Sequence, residues 1–206
     1  MSAARASALL AGLSALLVGC ATAPTAPRGA VGIFVLERDL LGESLARGEF
    51  RALNGVRRGF TVRMAGSFDG RVFTLVEDFV FDDGERDRKT WRLTRVAPGR
   101  YIGAREDVVG EAIGRQDGDV FRLEYDIRMP GRDGRPGMRL RFRDVMARLP
   151  DGSVVNRANV GWWGLRVARV ELVITKQDED EAAADAARAE RPVSYAAADA
   201  EGAAKP

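Results

Sequence analysis

Residues 74–91 read TLVEDFVFDDGERDRKTW: carboxylates at Glu77, Asp78, Asp82, Asp83, Glu85 and Asp87 stand beside Arg86, Arg88 and Lys89, between runs of Val and Phe and a closing Trp. Acids in such number could hold a calcium ion if several converged from one loop. Two of them could do acid and base work if burial separated their pKa values. The spacing argues first for something plainer. Successive side chains of a strand point to opposite faces, so these acids alternate between faces instead of converging. Asp82, Asp83 and Gly84 suit a three-residue hairpin loop, a type I turn closed by a glycine in the left-handed conformation. That loop sets Phe81 opposite Glu85, Glu77 opposite Lys89, Asp78 opposite Arg88, Leu75 opposite Trp91 and Phe73 opposite Leu93. Opposite charges paired across strands stabilise a hairpin, and most of the acids are accounted for in this way.

Glu77 keeps its chemical interest, because it shares a face with Phe73, Leu75, Phe79 and Phe81, the side expected to point inward. Trp91, opposite Leu75 on the same face, is a candidate ligand contact. A second long hairpin behaves alike: Phe121, Leu123, Tyr125, Ile127 and Met129 alternate with Arg122, Glu124, Asp126 and Arg128. Its partner, MRLRFRDVM, puts Met138, Leu140, Phe142, Asp144 and Met146 on one face and Arg139, Arg141 and Arg143 on the other. Asp144 therefore also points inward. The arginine stripe reads as a solvated face paired with Glu124 and Asp126, with an anionic-lipid site as the alternative.

The elements that must position these residues are strands. From about Glu43 to Lys176 there is almost no helical periodicity, and period-two alternation recurs between Gly and Asp-Gly punctuation. The pattern predicts strands at 43–53, 58–68, 71–82, 85–97, 100–106, 108–116, 119–129, 138–148, 152–160 and 165–176. Short, regular spacing points to an all-β antiparallel meander of about ten strands closing as a barrel or half-barrel. A two-sheet sandwich would need longer crossing connections.

The ends have a different composition. Residues 1–19 have the form of a signal peptide, with Arg5 and then an apolar run too short to span a membrane. Leu17, Val18, Gly19 and Cys20 resemble the lipobox of bacterial lipoproteins, and Cys20 is the chain's only cysteine. The resemblance implies acylation of Cys20 and cleavage before it, giving an anchor of two or more acyl chains. Ala21 in place of Asp implies the outer membrane, on its periplasmic face. Residues 20–30 are Pro-rich and read as an extended, unpacked tether; residues 31–176 form the barrel domain. Residues 177–206 carry eight acids, three bases and almost no large apolar side chain, a disordered or weakly helical tail that cannot bury a core. Set apart from Arg5 and that tail, the body is basic, almost wholly through arginine, although the whole chain is only +2. The arginines are scattered among acids, so a nucleic-acid partner is not indicated.

The segments GSFDG, LVEDFVFDDGER, YIGAREDVVGEAIG, RDVM and NRANVGWWG, in that order, resemble the bacterial lipoproteins grouped as domain of unknown function 3833. The resemblance covers about Gly48 to Lys176 and implies a lipocalin-like barrel on a lipid anchor, with no assigned activity. The polar residues matching the family's motifs are Glu77, Asp78, Asp107, Asp144, Asn156 and Arg157. The chain departs from the pattern at Val145, where Trp is usual, at Trp162, where a basic residue is usual, and at Ala104-Arg105, which is inverted. A buried network holding the barrel together is the plainer account of the matching residues, since inward charges must be paired.

A carrier of a small hydrophobic or lipid ligand is the leading functional expectation, with Glu77, Trp91, Asp107, Asp144, Asn156 and Arg157 as candidate ligand contacts. A scaffold lipoprotein acting through a protein partner is the alternative. Enzymatic activity is a distant third, because the chain has no histidine and shows no nucleophile elbow, zinc spacing or phosphate loop. No cofactor or metal is expected.

Overall fold

The structure is a computed structural model and describes residues 22–129, 131, 135 and 137–178. Residues 1–21, which hold the expected signal peptide and Cys20, and the tail beyond Asp178 lie outside the described residues. Ten antiparallel strands follow one another as β1 (Gly42–Ala52), β2 (Arg57–Phe68), β3 (Val72–Phe81), β4 (Arg86–Ala97), β5 (Arg100–Ala104), β6 (Ala112–Asp117), β7 (Val120–Arg128), β8 (Arg139–Arg148), β9 (Val154–Trp162) and β10 (Leu165–Lys176). Each pairs with its neighbour in sequence, and β10 returns to β1, with Ser44 opposite Lys176, so the sheet closes as a barrel.

Alternation decides what lies inside. Val62, Met64, Phe73, Leu75, Trp91, Leu93, Tyr101, Phe121, Leu123 and Val160 are buried in one core. The β3–β4 hairpin has the expected register, Phe73 to Leu93 and Glu77 to Lys89. The Phe81 N–H donates to the Glu85 carbonyl at 2.9 Å, and Gly84 sits at φ +85°. Side chains with φ in that range are disfavoured, which is why a glycine ends the loop.

One end of the barrel is plugged. A single helical turn, α1 (Leu36–Asp39), lies across it, with Phe34, Leu36 and Leu40 almost wholly buried. The Asp39 carboxylate accepts the Val35 N–H at 2.7 Å and meets Arg148 at 3.5 Å. The Tyr101 hydroxyl donates to Glu37 at 2.6 Å. Gly66 lacks a side chain where the Leu40 carbonyl presses in: a Cβ there would lie 1.8 Å from that oxygen. The other end is a mouth, where inward-facing Phe50, Phe79, Phe81, Phe142 and Val170 are only partly buried.

Two expectations are corrected. Residues 108–116 do not form one strand: β6 starts at Ala112, and Val108 bridges instead to Ile127 while the Val109 N–H donates to the Asp126 carbonyl at 2.7 Å. Gly110, at φ +77°, turns the chain after the Val108–Val109 pair whose apolar character imitated a strand. The tether is not unpacked either. From Thr22 it runs along the outside of β7–β9 as a strap: the Asn159 amide donates to the Thr22 carbonyl at 2.7 Å, and the Val31 N–H to the Arg148 carbonyl at 3.0 Å. Ala30 packs on an outward-facing cluster of Val120, Val145, Ala147 and Val155. That apolar patch on the solvent side of the sheet offers area that an extended, proline-rich segment can cover.

Candidate functional site

At mid-height the apolar interior is interrupted by charge. Arg105 follows the end of β5, where the chain leaves the sheet, and its side chain is 11% exposed. Its guanidinium donates from Nε to Asp107 Oδ1 at 2.8 Å and lies 3.8 Å from Glu77 Oε2. Two rings flank it, Trp91 at 4.5 Å and Tyr125 at 5.3 Å from their centroids, and they meet each other edge to face at 4.9 Å. This cation–π arrangement suits a weakly hydrated guanidinium held away from water. Lys89 adds a second cation, 3.0 Å from Asp87 and 3.8 Å from Asp107.

Across the interior, β8 and β9 contribute Asp144 and Asn156, both buried. The Asn156 amide donates to Asp144 Oδ2 at 3.0 Å. Three oxygens in this set are buried with no hydrogen-bond donor: Glu77 Oε2, Asp144 Oδ1 and Asn156 Oδ1. Arg105 approaches Glu77 as an ion pair only, at a length beyond a hydrogen bond.

The electrostatics follow from this placement. Burial raises the Glu77 carboxyl from 4.5 to about 7, with the Arg105 charge opposing and the Asp144 and Asp107 charges reinforcing. Asp144 rises from 3.8 to about 7 for the same first reason, against the Asn156 amide, the Arg105 charge and the Tyr125 hydroxyl. Desolvation, strengthened by Asp144, lifts the Tyr125 phenol well above its ordinary value and keeps it protonated. The phenol, and each of the two carboxyls below about pH 7, therefore keeps an O–H and can donate as well as accept.

Of the candidate residues, Glu77, Trp91, Asp107, Asp144 and Asn156 face the interior. Glu77, Trp91 and Asp107 gather on Arg105, while Asp144 and Asn156 pair with each other. Arg157 does not join them. It lies on the outer face of β9, where Nε donates to Glu171 at 2.7 Å. An odd-numbered neighbour of the inward Asn156 has to point outward. Asp78 is also outside, in an ion pair with Arg88 at 2.5 Å that holds its carboxyl below the ordinary value. The cation serving Glu77 is therefore Arg105, not Lys89 or Arg157. Sequence reasoning missed Arg105 as a site residue because it lies near the end of the strand expected at 100–106. Its signal was a lone arginine in phase with Tyr101 and Gly103 on the inward face of β5.

Residues 14–176 match the family described as protein of unknown function (DUF3833). The chain belongs to that family. Among solved structures, this DUF3833 chain is similar to the crystal structure of Rv2717c from M. tuberculosis, at 15% identity and a TM-score of 0.50, covering 68% of this chain and 94% of that one. At that identity the likeness shows the fold alone. No curated protein matches the DUF3833 chain significantly.

Proposed function

We propose that this protein is a lipoprotein anchored through Cys20 to the outer membrane on its periplasmic side, and that its barrel binds or carries a small amphiphile. The observation that carries the reading is the trio of buried oxygens without a hydrogen-bond partner, Glu77 Oε2, Asp144 Oδ1 and Asn156 Oδ1. A buried polar atom left unpaired costs about 1–3 kcal/mol, and such atoms in a small barrel invite a partner from outside the chain. Protonated carboxyls donate as well as accept and the Asn156 oxygen accepts, so the ligand's head is an uncharged polar group such as a hydroxyl, with its apolar part lying towards Phe50, Phe79 and Phe81 at the mouth. Arg105 lies near Glu77 and hydrogen-bonds Asp107, which limits its use for an anionic head.

A scaffold acting only through a protein partner would leave these unpartnered oxygens without a role. Catalysis is not proposed: Cys20 is committed to acylation in this reading, and the chain has no histidine to relay a proton. Mass spectrometry of lipids that co-purify with membrane-extracted protein tests the proposal. A defined amphiphile should be recovered, less of it with Asp144→Asn and as much with the outward Arg157→Gln. Equal capture by wild type and Asp144→Asn, or no bound lipid at all, would refute it.

A further inference from the structure

The mouth is not uniform around its rim. At β3–β4 it is acidic, with Asp83 and Glu85 on Arg58. At β8–β10 it carries aromatic and basic side chains instead. Trp163 is 86% exposed and Trp162, Leu165 and Met138 are also exposed. Trp162 pairs with Leu165, so Trp163 and Gly164 are the two central residues of the hairpin turn, at φ +49° and +79°. Asn-Gly is the usual occupant of such a turn. A tryptophan there adopts a disfavoured conformation and displays its ring to solvent, a local cost that nothing inside the barrel offsets.

Beside the turn lies a groove of about 700 Å³ whose lining includes Arg139, Arg141, Gly161, Trp162 and Trp163. Gly161 lies opposite Arg141 in the sheet and offers no side chain, so the groove is open between the arginines and the indoles. Arg139 and Arg141 share one carboxylate, Asp126, and both remain half exposed, which leaves an excess of positive charge. The strap points the same way. Thr22 is held by Asn159, three residues before Trp162 on β9, or about 10 Å along the strand. Cys20 precedes Thr22 by two residues, a reach of at most about 7 Å.

We propose that this corner of the mouth docks on a bilayer surface rich in anionic phosphate head groups. Arg139 and Arg141 receive the phosphates, matching their planar donors to phosphate oxygens. Trp162 and Trp163 sit in the interfacial layer, where indole rings concentrate. The barrel then opens directly onto the lipid instead of into water. This deepens the carrier reading by placing its mouth, and only the Cys20 argument rests on the proposed anchor.

The test uses the full chain on phosphatidylcholine vesicles with or without phosphatidylglycerol, their acyl chains brominated to quench nearby tryptophan. With phosphatidylglycerol, emission should shift to the blue and be quenched, and Trp163→Asn, a residue suited to positive φ, should lose most of that response. The triple variant Asp126→Asn, Arg139→Gln, Arg141→Gln removes one net positive charge without stranding Asp126. It should raise the lipid needed for half-maximal quenching about fivefold. Protein that sediments with the vesicles while Trp163 stays unquenched overturns the proposal and leaves the groove to a protein ligand. Failure to sediment overturns it too, as does equal quenching without phosphatidylglycerol, which removes the preference for anionic head groups. Lipid co-purification measured on Trp163→Asn separates the two readings: an unchanged bound lipid with lost quenching keeps docking apart from carriage, and unchanged quenching with no bound lipid sinks carriage alone.

Discussion

Replacing Glu77 by glutamine keeps the shape of the side chain and removes its ability to ionise. In the folded chain the carboxyl holds its proton up to about pH 7, whereas at its ordinary value of 4.5 the unfolded chain gives it up. Below about pH 4.5 both states are protonated and the group contributes nothing. Between the two values unfolding releases a proton, so stability falls as pH rises, and above about pH 7 the full cost of the buried charge is present. A shift of that size corresponds to about 3 kcal/mol at pH 8. Glu77→Gln should therefore be more stable than wild type at pH 8 and equal to it at pH 4. With a urea slope of about 2 kcal/mol per molar, the midpoint at pH 8 should rise by about 1.5 M. Asp144, raised through the same window, keeps part of the pH dependence in the variant. Urea melts followed by circular dichroism from pH 4 to 9 make the measurement. A variant less stable than wild type at pH 8, or a wild-type midpoint that does not fall from pH 4.5 to 7, would show that Glu77 is paired and solvated rather than stranded.

Asp78→Asn, one residue away but on the solvent side, should leave the urea midpoint within scatter, since it breaks only an exposed pair with Arg88. Gly66→Ala drives a methyl into the Leu40 carbonyl and should destabilise the plug by about 1–3 kcal/mol or more; an unchanged melting temperature would mean that the plug is not seated there. Cys20→Ala should move the protein out of the membrane fraction, and equal amounts in membranes before and after would end the anchoring argument.

The β3–β4 hairpin was legible down to the residue because Asp82, Asp83 and Gly84 fix a loop length, and loop length fixes every pair behind it. The phase of the other strands followed from large apolar residues at every second position, which placed Glu77 and Asp144 inside without further information. The plug was not legible: one helical turn has no period to detect, and Phe34, Leu36 and Leu40 are spaced ambiguously. Nor was Arg105. Its importance comes from the chain leaving the sheet after Ala104 to cross towards Ile127, a tertiary choice that local alternation does not encode. Arg157 came from a motif match alone, and period-two phase relative to Asn156 already argued against it. The strap was misread because proline content reports the extended conformation and not what that conformation lies against.

Closure of the sheet through β1 and β10 has a consequence for the order in which the protein is made. Every other pairing joins strands adjacent in sequence, hairpins that form locally and early. The seam joins the first strand to the last, so it waits until Lys176 has emerged, and until then two unpaired strand edges are open to other chains. A chain crossing a membrane N-terminus first would present β1 as one of those edges throughout the passage. Folding of this barrel is accordingly gated by its last twelve-residue strand, and a nascent chain arrested before Leu165 would be the aggregation-prone species.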